Sequence, residues 1–129
     1  MGLRKRFFTE EPFNLSLITK VYTFYIKQNV GNNQTLFHEI GHNIQTKFKI
    51  KDSDWKKVKD SDGNSMSSYG DATEGEDLAE AFAKFAQAKL NKDSLKELED
   101  FKKEYPNRYE VLNKIWNNQY NSGFMSWLF

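Results

Sequence analysis

The sequence predicts an α+β domain, mostly helical, with one short sheet. Apolar residues recur at helical spacing in the segments after residue 34, while "KVYTFYIK" at 20–27 is β-branched and aromatic. The aromatic content is 16%, with 11 Phe, 6 Tyr and 3 Trp in 129 residues, enough to fill one core without crosslinks.

Taken in order, residues 1–14 read as a loosely ordered start with Pro12 as a breaker. Within 15–29, one strand is expected near residues 20–27. Val21, Thr23 and Tyr25 alternate there with Tyr22, Phe24 and Ile26, so both faces are bulky. Tyr22, Phe24 and Tyr25 suit either a core or a substrate-binding edge. "GNNQ" at 31–34 is a turn, and Asn33 or Thr35 can cap the helix that follows. From Thr35 to about Phe48, Leu36, Phe37, Ile40 and Ile44 make an apolar stripe. Residues 51–72, rich in Asp, Ser, Gly and Lys, read as a long loop with at most a short helical turn around Trp55. Thr73 to Leu90 is a second strong helix, its core stripe Leu78, Phe82 and Phe85. The pattern Ser94-x-x-Glu97 opens a third as a capping box. Pro106 ends that helix and starts a fourth, with Tyr109, Leu112, Ile115 and Trp116 spaced for burial. The tail "GFMSWLF" is apolar and is expected to dock on the domain. With no repeat or linker, 1–129 reads as one domain: a flank over 1–30 carrying the strand, then the helices of 31–129.

Composition narrows the chemistry. With no cysteine, disulfide scaffolds, Cys-based zinc sites and a Cys nucleophile are excluded. A net charge of +1 gives no global drive toward nucleic acid; of two local basic clusters, Arg4-Lys5-Arg6 and Lys47–Lys59, the second is interrupted by Asp52, Asp54 and Asp60 and reads as a solvated loop or helix face. No apolar run is long enough to span a bilayer, and "MGLRKRFFTEEPF" lacks the apolar stretch of a signal peptide. A monomer is expected.

The stretch "TLFHEIGHNIQTKF" holds both histidines of the chain, His38 and His42, with Glu39 between them. Four helical residues advance a side chain about 40° past one full turn, so both imidazoles project from one face. That spacing lets two nitrogens reach one Zn²⁺, and Glu39 lies beside the same face, placed to take a proton from water. A catalytic zinc takes three protein ligands, and with no further His or Cys the third must be a carboxylate. The second helix offers Glu74, Glu76, Asp77 and Glu80. Glu76 and Glu80 share a face, and the residues alone leave the choice between them open. Glu76 also completes the pattern Thr73-x-x-Glu76, a capping box that would turn it back to the backbone. Gly41, inside the metal helix, costs about 1 kcal/mol against Ala. It would be explained by close packing of another element.

"HEIGH" followed by "SSYGDATEGEDLAEAF" resembles the catalytic domain of the anthrax lethal-factor-like zincins, which include the clostridial Pro-Pro endopeptidases. In that family HExxH is followed by a Tyr-Gly pair, then by a Glu seven residues after the Tyr, in a helix reading roughly E-x-x-A-E-A-F. Here the matching residues are Tyr69-Gly70, Glu76 and Ala79-Glu80-Ala81-Phe82, and the likeness spans about residues 34–90. The resemblance implies one Zn²⁺ held by His38, His42 and Glu76, with Glu39 as general base. It implies that Tyr69 stabilises the transition state and that Glu80 orients a histidine ligand from behind. The fold it implies is a small zincin-like metallopeptidase domain. The activity it implies is hydrolysis of a peptide or protein substrate, in a secreted or toxin-associated setting. The alternative expectation is a zincin domain that holds zinc without catalysis and acts as a binding module.

Overall fold

The computed structural model describes residues 33–67, 73–91, 93, 95–117 and 119–120. Five helices account for 78% of them: α1 (Asn33–Lys47), α2 (Asp52–Asp62), α3 (Glu74–Leu90), α4 (Lys96–Glu104) and α5 (Pro106–Trp116). The expected α+β class is thereby corrected. The described residues contain no strand and form an all-helical bundle. The strand expected at 20–27 lies outside the described residues, as does the apolar tail.

The helix α3 is the centre of the bundle, and α1, α2, α4 and α5 all pack on it. Its sequence explains why. Thr73 caps the N-terminus, its Oγ1 accepting the Glu76 backbone N–H at 3.0 Å. Behind the cap, alanines alternate with Leu78, Phe82 and Phe85, so α3 is buried on several faces at once. Small residues let neighbours approach from more than one side, whereas a surface helix would bury a single stripe. Around Phe85 the rings of Phe101, Tyr109 and Trp116 all pack edge-on, with centroids 5.8–5.9 Å away.

Phe37, Ile40 and Ile44 of α1 face this core, as the stripe predicts, while Leu36 is only partly buried. The helix ends in a Schellman motif. The Ile50 N–H donates to Gln45 O and the Lys49 N–H to Thr46 O, with Lys49 in the left-handed region at φ 54°.

The segment read as a loop is the clearest departure after the sheet. Residues 52–62 form an eleven-residue helix, α2. Only Trp55 and Val58 are apolar and buried there, too few to register as periodicity in "DSDWKKVKDSD". Burying those two against the core is a tertiary effect, aided by Asp52 and Asp54 in the first turn and by Gly63, at φ 75°, closing the C-terminus. Helix α4 departs more mildly. It starts at Lys96 behind Leu95, which makes no side-chain cap; Ser94, and with it the expected capping box, lies outside the described residues. Pro106 opens α5 as expected. Its buried face is Arg108, Val111, Leu112 and Ile115, with Tyr109 and Trp116 half-buried.

Tyr105, between α4 and α5, is buried at 3% exposure, and desolvation, with a hydrogen bond to Glu104, pushes its phenol up from 10.0 to about 12. The neutral phenol is therefore the form the fold prefers. Its contribution is fully present below about pH 10 and is lost as pH rises through the folded value. Urea titrations at about pH 9 and about pH 11.5 should show Tyr105→Phe losing less stability over that interval than the parent, by on the order of 1–2 kcal/mol. Equal losses in the two proteins would contradict this account of Tyr105.

Candidate metal centre

Helices α1 and α3 cross at Gly41 and Ala79. A Cβ built on Gly41 would lie 2.6 Å from Ala79 Cα and 3.0 Å from its carbonyl oxygen, so only glycine permits this approach. His38 and His42 flank the crossing on α1, and Glu76 lies one turn before it on α3. The backbone contact thus brings together side chains 38 residues apart.

The Glu76 carboxylate sits between the two imidazoles. His38 Nε2 is 3.0 Å from Oε2, and His42 Nε2 is 3.1 Å from Oε1. The rings themselves meet edge to face, with centroids 4.9 Å apart. Of the acids left open by the sequence, Glu76 is the one brought to both histidines. The capping box is half made: the Glu76 backbone N–H donates to Thr73 Oγ1, and the Glu76 side chain goes to the imidazoles.

One ligand atom from each of His38, His42 and Glu76 lies within 4.8 Å of the others, the one such group among the described residues. Donors bound tetrahedrally at about 2 Å stand about 3.3 Å apart. Each imidazole meets a different oxygen of the carboxylate at close to that spacing, and the three ligand atoms would have to draw together from within 4.8 Å to share one ion. Two nitrogens and a carboxylate oxygen also form a donor set suited to zinc. The side chains are 19%, 36% and 22% exposed, so a water or a substrate atom can reach the same point.

Glu39 is partly exposed on α1 beside His38. Glu80, one turn along α3 from Glu76, accepts a hydrogen bond from Ser67 Oγ, where the resemblance implies a ligand imidazole. Glu74 pairs with Lys59 of α2 at 2.7 Å. Tyr69 and Gly70 lie outside the described residues.

Asp77, weighed as a ligand by its type, is instead fully buried on the far side of α3. Its Oδ2 accepts from Trp55 Nε1 at 2.8 Å and Arg108 Nε at 2.9 Å, and its Oδ1 from Arg108 Nη2 and the Met66 N–H. Arg108 uses all five of its N–H donors, the remaining three on Asp62 Oδ2, Asn64 Oδ1 and Asn64 O. The sequence reading missed this cluster. One signal was available: Arg108 is the single arginine after Arg6 in a chain that otherwise takes its positive charge from lysine. Arginine is selected where a planar, multi-donor fork is needed.

Compared with protein-family models, with curated proteins and with solved structures, the chain finds no match in any of the three.

Gly41→Ala should test the crossing. Helix propensity alone would favour Ala by about 1 kcal/mol. The clash is with backbone, which can yield only by separating the helices, so overpacking should reverse the sign and give a net loss of about 1–2 kcal/mol. Any affinity for zinc should fall with it. A variant more stable than the parent in thermal unfolding, with unchanged affinity, would remove the crossing from the account.

Proposed function

We propose that the chain is a zinc-dependent metallopeptidase akin to the lethal-factor-like zincins. One observation carries the reading. His38 and His42 meet the Glu76 carboxylate at 3.0 and 3.1 Å, and Glu39 occupies the helical turn between the histidines. His38, His42 and Glu76 hold the ion in this proposal. Zinc, when bound, lowers the pKa of water toward ~7 and polarises a carbonyl. Glu39 takes the proton of the attacking water on its carboxylate and delivers it to the leaving amine. Tyr69 donates a hydrogen bond from its hydroxyl to the oxygen on which negative charge develops. The presence of Glu39 favours catalysis over a purely structural ion, since a closed structural site needs no base. The substrate in this reading is a peptide or protein. No helix among the described residues is long and apolar enough to cross a membrane.

Purified protein should contain close to one zinc per chain, and His42→Ala should lose most of it. Glu39→Gln should keep zinc and melting temperature while abolishing cleavage in a peptide-library digest, because a neutral amide cannot accept the proton. Zinc retained in His42→Ala would remove the ligand assignment. Zinc binding without cleavage by the parent would leave a zinc-holding module and end the peptidase reading.

Tyr69→Phe removes only the hydroxyl. Losing one oxyanion donor typically costs about 10²–10³ in kcat. A bond made mainly in the transition state leaves KM little changed. Cleavage by Tyr69→Phe at the parent rate would take the hydroxyl out of the mechanism.

A further inference from the structure

Glu76 needs to be held in place as well as brought near. Its own contacts are with the two imidazoles and, through its N–H, with Thr73. The next residue, Asp77, is fixed by four donors in a site from which water is excluded. Those donors come from α2 (Trp55), from the segment after it (Met66) and from α5 (Arg108). Arg108 is in turn locked by Asp62 and Asn64, and its guanidinium lies 5.3 Å from the centroid of the Tyr105 ring. Asp62 also takes the Asn107 and Arg108 backbone N–H groups at the start of α5. The first turn of α3 is therefore clamped on its inner side, one residue from the candidate metal ligand.

We propose that the buried Arg108–Asp77 pair is a positioning device for Glu76. It sets the rotation and height of the first turn of α3, so that the carboxylate reaches His38 and His42 together. Arg108 and Asp77 touch neither imidazole among the contacts described; they act through the backbone of residues 76 and 77. The same clamp seats Met66 and Asn64, and Ser67 next to them binds Glu80, so residues 64–67 are held to the same helix as the ligand. The zinc readout below rests on the metallopeptidase reading; the proposal itself does not.

The test uses the metal-free full chain first. With only two histidines, both imidazoles can be followed in a long-range ¹H–¹⁵N spectrum at fixed pH. Arg108→Lys keeps the charge but loses the fork that engages Asp77, Asp62 and Asn64 at once. It should move the nitrogen resonances of both His38 and His42. Ile115→Ala, a cavity two turns away on α5, should destabilise the fold yet leave them in place. Zinc affinity, measured by chelator competition, should fall about 10–100-fold in Arg108→Lys and stay within about two-fold in Ile115→Ala. If Arg108→Lys does not fold, Trp55→Phe removes a single donor from Asp77 and keeps the ring, and the same resonances should move less far. Imidazole resonances at parental positions in a folded Arg108→Lys, or failing that in Trp55→Phe, overturn the proposal. A parent that binds no zinc, with imidazoles that do move, leaves the positioning role standing and ends the metallopeptidase reading.

Discussion

The candidate site depends on one close approach, the backbone of Gly41 against that of Ala79. With a Cβ on Gly41 only 2.6 Å from Ala79 Cα, no other residue allows the two helices to cross at this separation. His38 lies one turn before the crossing on α1, His42 one residue after it, and Glu76 one turn before it on α3. The crossing is thus the pivot of the triad. A glycine in a helix interior costs about 1 kcal/mol, and it stands here where the close approach of two backbones admits no Cβ.

A second constraint acts from the opposite side of α3. The ions of Asp62, Asp77 and Arg108 are withdrawn from water, which is expensive unless every donor and acceptor finds a partner. Here the guanidinium spends all five donors, and Asp77 accepts four. Such a cluster adds little net stability relative to a well-packed apolar one. It tolerates few alternative arrangements, however, so it fixes how α2, α3 and α5 sit together. One face of α3 is therefore positioned by shape, through small residues, and the other by directional hydrogen bonds.

What the sequence made legible follows from the range of the physics involved. The pairing of His38 with His42 is local, set by helical pitch, and needs no knowledge of the fold. Which acid joins them depends on how α3 is rotated against α1. The residues alone therefore left Glu76 and Glu80 open, and the borrowed Tyr-to-Glu spacing pointed to Glu76. The Glu76 carboxylate contacts both imidazoles, whereas Glu80 is seen with Ser67. Helix α2 was missed because two buried side chains among eleven carry no readable period, and the Asp77–Arg108 cluster because charged residues read as surface by default. The α+β class failed because aromatic, β-branched residues at 20–27 weighed toward a sheet, while every regular element described from Asn33 onward is a helix.

The central claim is that two histidines and one carboxylate of this chain hold a single zinc ion. X-ray absorption at the zinc edge tests it most directly, because outer-shell scattering counts imidazoles independently of activity. The account predicts two imidazoles per zinc with the remaining ligands oxygen at about 2.0–2.2 Å, and loss of the bound ion's defined environment in Glu76→Ala. A zinc with no imidazole scattering, or one whose spectrum is unchanged by Glu76→Ala, would contradict it.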